Sequence, residues 1–268
     1  MIRSILKNAL VLGIVHGTAT GAFAADSALA LIVENDELRV GTSGAQPPFS
    51  LVSKSGELIG FDIDLANLIA DAMGVEVTFV KKPFGQLLDA LEKGEVDIIM
   101  SGMTMTPARN LRVAFVGPYM VSGKSILTTN AALAKIDEAG DIDQSQVKMA
   151  ALKGSTSQDF VMDVWPRMQL TVTDDYDAAI DLVRKGEVGA MVADFPICAL
   201  SVLRFPEDGF ATLAQPLTIE PMGVAMPPND PLFLNMMENY LGALEGIGIL
   251  ELLEEKWFQD GSWLIQMP

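Results

Sequence analysis

Residues 87–109 read LLDALEKGEVDIIMSGMTMTPAR. Leu87, Leu88 and Leu91 stand at helical spacing, and Lys93-Gly94 is a helix stop. Residues 96–100, VDIIM, form an apolar run of strand length. The chain then turns polar through Ser101, Gly102, Thr104 and Thr106 before Pro107 and Arg109 open a second helix. Polar groups just past the carboxyl end of a buried strand are where open α/β sheets take ligands. The unit recurs: residues 179–194, AIDLVRKGEVGAMVAD, lie over 87–102 without a gap. Asp89/Asp181, Lys93/Lys185, Gly94/Gly186, Glu95/Glu187 and Val96/Val188 are identical pairs. Two copies of one helix–strand unit predict two similar lobes. One copy leads to a cation, Arg109, and the other ends in an anion, Asp194. Facing across a cleft, they suit a small guest carrying both charges. Each residue also has a plainer reading: Arg109 as a surface partner of Asp89 or Glu92, and Asp194 as a helix cap before Pro196.

The chain has 268 residues, half of them apolar, enough for one large or two modest domains. Residues 1–24 have the order of a secretory leader: Arg3 and Lys7, then an apolar core at 9–15, then Ala22-Phe23-Ala24. That apolar core is too short to span a bilayer. The formal net charge is −17. The leader holds two basic residues and no acidic one, so cleavage makes the chain more acidic still. Such a surface repels nucleic acid and anionic lipid. The single histidine, His16, leaves with the leader. Catalysis by Ser-His-Asp or Cys-His and histidine metal sites are then unavailable, and neither cofactor nor metal is expected. Cys198, the sole cysteine, cannot form an internal disulfide and is expected to be a small buried side chain. An exported, disulfide-free chain suits a bacterial periplasm.

Residues 25–35 read as a loose lead-in, 38–42 as a strand, and 43–50 as a loop stiffened by Pro47 and Pro48. Asp62 is expected to cap a helix ending at Gly74. Extended chain is expected at 113–119 and 125–129, a polar connector at 131–146, and a return at 216–226. From 229 onward Phe233, Met236, Met237, Tyr240, Leu241 and Leu244 share one helical face. Ser122-Gly123-Lys124-Ser125 looks like the end of a phosphate-binding loop, but Pro118 stands where its first glycine is required. The order places lobe one at 36–126 and 218–268 and lobe two at 127–217, joined by two hinge crossings.

LRVGTSGAQPPFS (38–50), GELIGFDIDLANLIADAMG (56–74), GEVDIIMSGMTMTPAR (94–109) and VADFP (192–196) carry a resemblance. With them the chain resembles the bacterial extracellular solute-binding proteins of the polar amino acid type, components of ABC importers. The resemblance runs from about 38 to 257. It implies an α/β fold of two lobes closing like a clamshell, and a monomer that hands an amino acid to a membrane permease. It also implies that Arg109 binds the ligand α-carboxylate and Asp194 the α-ammonium. Thr104 helps with both, the Gly102 carbonyl lies near the ammonium, and Met103 lies between them. Thr156 reaches the carboxylate from lobe two, and Phe49 and Phe84 flank the ligand side chain. Read from the residues alone, Thr104 and Thr156 are equally helix caps, and Phe49 and Phe84 equally core. The chain departs from the family at Ala108, where relatives often carry an acid, and at Phe84, often tryptophan. Periplasmic cyclohexadienyl dehydratases, acting on arogenate or prephenate, resemble the same family. For that enzymatic alternative Glu220 and Asp194 are the available acids.

Overall fold

The computed structural model describes residues 27–144 and 147–268. The expected leader lies outside the described residues. Two five-stranded mixed sheets form the α/β architecture. The first runs Glu76–Lys81, Glu37–Thr42, Ile98–Ile99, Glu220–Met226, Ala114–Ser122. Its first three strands are parallel, and Glu220–Met226 is antiparallel to both neighbours. The second runs Gln169–Thr173, Lys148–Leu152, Ala190–Asp194, Lys124–Thr128, Ala211–Thr212. Its first three strands are parallel too, and Lys124–Thr128 is antiparallel to both neighbours.

The repeated unit explains this likeness. In each sheet the strand after the helix stop is the middle one. The stops are alike as well: Gly94 and Gly186 take φ of 68° and 70°, a left-handed turn that glycine adopts without strain. The strand proper of the first copy is Ile98–Ile99, shorter than the apolar run 96–100, and on either side the Asp97 and Met100 N–H groups donate to the Arg39 and Gly41 carbonyls at 2.8 and 3.0 Å. A third, small sheet of Ala45–Gln46, Ser50–Val52 and Leu58–Ile59 holds Phe49 at its turn.

Local chemistry sets the helices. Phe61–Met73 ends at Gly74, φ 73°. Its N-cap is Gly60, and Asp62 sits inside the first turn without capping it. The expectation of Asp62 as the cap is thus corrected: its carboxylate accepts instead from the Gly102 N–H at 2.6 Å. Residues 27–35 are not loose. Ala28–Asn35 is a helix capped by Ser27, and the Leu29 N–H donates to Asp230 at 2.9 Å. Asp230 also caps Pro231–Gly246, so one carboxylate ties the two helices together. Leu38, Val40, Ile98, Ile99, Val224 and Ala225 are fully buried in the first sheet, as are Ala150, Met191 and Val192 in the second. Cys198 is buried among them, as expected.

Candidate ligand-binding site

Arg109 lies in the short helix Pro107–Asn110, whose cap is Thr106. Only 8% of it is exposed. Its Nη1 donates to the Thr104 carbonyl at 2.8 Å and its Nη2 to the Gly154 carbonyl at 3.2 Å. Thr104 belongs to the loop after the first middle strand, and Gly154 follows the strand Lys148–Leu152 of the other sheet, so the guanidinium bridges the two. It also stacks over Phe84, 5.6 Å from the ring centre. Burial pulls its pKa below the ordinary value, and Asp159, Asp194 and Glu220 oppose that pull. The surface role belongs to Arg112, which pairs Asp89 and Glu92 at 2.6 Å each.

Asp194 ends the second middle strand and stands at the N-cap of Phe195–Arg204, but its side chain makes no capping bond. Its Oδ1 instead accepts from Lys124 Nζ at 2.7 Å. Lys124 is 1% exposed and its ammonium also meets Glu220 Oε2 at 2.9 Å. Desolvation raises the Asp194 pKa against the pull of Lys124. Glu220 goes the other way. Burial pushes it up, but the Lys124 charge and the bonds from Lys124, Thr156 and Thr104 hold it below the usual carboxylate range.

The threonines are not caps. Thr106 caps the helix after Thr104, and Ser155 caps Thr156–Val164. Thr104 and Thr156 instead face each other, Oγ1 to Oγ1 at 3.3 Å, and both donate to Glu220 Oε2, at 3.0 and 2.9 Å. Phe49 is fully buried. It packs edge-on against Phe258 at 5.4 Å and lies under Gly102. Phe84 is buried beneath Arg109. Met103 is buried, and its carbonyl accepts from the Gly223 N–H at 3.1 Å. Behind the Gly102 loop, burial lifts the Asp62 carboxyl to about 7 against the pull of the Tyr119 hydroxyl and the Gly102 N–H.

The structure thus draws Arg109, Thr104, Thr156 and Asp194 around one centre. Phe84 adjoins it at Arg109, and Phe49, Gly102 and Met103 pack on its lobe-one side. Sequence reasoning missed Lys124 in this role. Its one signal was a lysine opening an otherwise strand-like run, KSILTT, read there only as a failed phosphate loop. Beside the centre, a cavity of about 240 Å³ is lined by Ser43, Gln46, Lys82 and Phe84 from one side and Asp174 and Asp175 from the other. Among the described residues no group of three or more His, Cys, Asp or Glu side chains is arranged to hold a metal.

Comparison with known proteins gives a consistent result. The sequence model for "Bacterial extracellular solute-binding proteins, family 3" matches residues 38–260. The ABC transporter arginine-binding protein 1 of Escherichia coli K12 is 26% identical, over 83% of this chain and 91% of its own length. The cyclohexadienyl dehydratase of Pseudomonas aeruginosa is also 26% identical, over 88% of each. Among solved structures, an ancestral amino acid-binding protein, described as a precursor of cyclohexadienyl dehydratase, superposes with a TM-score of 0.80. It is 36% identical over 87% of this chain and 100% of that one.

Proposed function

The chain belongs to the bacterial extracellular solute-binding proteins of family 3, and from that premise we propose that it captures a polar L-amino acid between its lobes for an ABC permease. The carrying observation is the pair Arg109 and Asp194. Both are buried; Asp194 ends the middle strand of the second sheet, and Arg109 lies in the short helix reached through the loop after the middle strand of the first. Arg109 presents a planar fork suited to a carboxylate. Asp194, with the Gly102 carbonyl and the Thr104 hydroxyl, receives the ammonium. Thr156 adds a donor to the carboxylate from lobe two. Phe49 and Phe84 flank the side chain, Met103 packs between the polar groups, and the cavity beside Phe84 takes the side chain's polar end. Charge-assisted hydrogen bonds contribute about 1.5–3 kcal/mol each. A micromolar ligand needs about 8 kcal/mol in all, so a few such contacts supply much of it.

Lobe one comprises about 36–123 and 218–268 and lobe two about 124–217, three residues earlier than the crossing expected at 126, because Lys124–Thr128 pairs within the second sheet. We place the hinge at Gly123 and Thr218, supported by the change of sheet between Ala114–Ser122 and Lys124–Thr128. The protein acts as a monomer in the periplasm after cleavage near Ala24, without a cofactor. The non-enzymatic reading is supported by Lys124. A dehydratase acid must give up a proton, whereas both candidate acids, Asp194 and Glu220, accept from the Lys124 ammonium, at 2.7 and 2.9 Å. Purified protein incubated with arogenate or prephenate is expected to form no aromatic product. The direct test of binding is a thermal-shift screen of the twenty amino acids on protein stripped by unfolding and refolding. At least one polar amino acid is expected to raise the melting temperature; no shift with any of them would overturn the reading.

A further inference from the structure

The ammonium of Lys124 lies where two acids converge. Strands Lys124–Thr128 and Ala190–Asp194 pair in register with Lys124 opposite Asp194. The Lys124 N–H donates to Thr218 Oγ1 at 2.8 Å and the Leu217 N–H to the Lys124 carbonyl at 2.7 Å. Both crossings therefore fix the backbone from which the side chain leaves. It ends 2.7 Å from Asp194 and 2.9 Å from Glu220. Glu220 is in turn anchored by Thr104, Thr156 and, through Oε1, Thr218 at 3.1 Å.

We propose that Lys124 is a specificity-determining residue. It is an internal cation, set on the two acids that would otherwise meet a ligand's positive charges, and it makes the cleft reject amino acids with cationic side chains and accept uncharged polar ones. This rests on the amino acid reading above. The buried charges at the centre are two cations, Arg109 and Lys124, and two anions, Asp194 and Glu220. They balance before any guest arrives. A zwitterion with an uncharged side chain keeps the balance: its carboxylate meets Arg109 and its ammonium shares Asp194 with Lys124 through Oδ2. An arginine or lysine brings one more positive charge into a site whose buried acids are both engaged. Like charges brought together there cost several-fold to many-fold in affinity. The remaining nearby acids do not change this. Asp159 and Asp174 are exposed and Asp175 is partly so, where water screens their charges. Glu220 cannot turn to a cationic side chain without giving up Lys124 and both threonines.

The test is calorimetric titration of ligand-stripped full-length protein with arginine, lysine and the best uncharged amino acid from the thermal-shift screen of the twenty. The same ligands titrate Lys124→Gln and Glu220→Gln, each checked for folding by circular dichroism. Wild type is expected to bind the best uncharged amino acid at least about tenfold more tightly than arginine or lysine. Lys124→Gln frees two buried acids and is expected to narrow or reverse that ratio. Glu220→Gln leaves the ammonium on Asp194 and is expected to keep it. Wild type binding arginine or lysine as tightly as any uncharged amino acid overturns the role of Lys124 and leaves the amino acid reading standing. So does an unchanged ratio in a folded Lys124→Gln protein. Wild type binding none of the twenty overturns the functional reading and this inference together. If Lys124→Gln does not fold, the wild-type ratio alone decides.

Discussion

Arg109 and Arg112 are three residues apart and meet opposite surroundings. Arg109 turns inward onto two carbonyls and a ring, while Arg112 pairs two exposed carboxylates. The sequence offered Arg109 to Asp89 or Glu92, but Arg112 takes that surface role and Arg109 is buried. Exposed pairs contribute little, about 0–1 kcal/mol. Arg112→Ala is therefore expected to leave ligand affinity unchanged and to lower stability by no more than about 1 kcal/mol, read by denaturant titration. A drop in affinity comparable to that of Arg109→Ala would mean that the wrong arginine has been placed in the cleft. Asp194 was legible for a plainer reason, since it ends a strand whose twin could be found by eye. Lys124 was not. Its partners Asp194 and Glu220 lie 70 and 96 positions away, and only strand register brings them together.

Among the elements, the first-turn aspartate of helix Phe61–Met73 has the longest reach. A carboxylate two residues into a helix reads as a local cap. Asp62 is instead spent on the Gly102 loop, tying the helix to the strand end that builds the site. No local pattern announces such a use. Its titration carries a sign. The folded pKa is raised to about 7 from an unfolded value near 3.9. The folded state therefore holds the proton where the unfolded state has lost it. Stability from this group is full below about pH 4 and is lost as pH rises towards about 7. Asp62→Asn, uncharged at every pH, is expected to flatten that part of the stability–pH curve in denaturant titrations between pH 4 and 8. A wild-type decline that persists unchanged in Asp62→Asn would show that other groups cause it. The N-terminal helix Ala28–Asn35 was missed on similar grounds, because it docks on Asp230 at the far end of the chain.

At the level of the whole molecule, the repeat was enough to foresee two alike sheets, since helix stop and strand position both follow from it. How closely the lobes meet was not foreseeable, because it depends on two glycines from different lobes. Gly154 has φ +72°, and a Cβ there would stand 2.8 Å from the Gly85 Cα. Gly154→Ala is expected to prop the cleft open. The lobes should stay folded by circular dichroism, and the contraction on ligand addition should shrink in solution scattering. Affinity should fall at least about tenfold, because apparent affinity scales with the closed fraction. Unaltered contraction and affinity would show that closure does not use this contact.

The central claim is that one guanidinium and one carboxylate, from opposite lobes, hold the two poles of one amino acid. Calorimetric titration of wild type, Arg109→Ala and Asp194→Ala with the best amino acid from the screen tests it most directly. Each substitution removes charge-assisted bonds of about 1.5–3 kcal/mol apiece, so each is expected to weaken binding by at least about tenfold. Two folded variants that bind as tightly as wild type would contradict it.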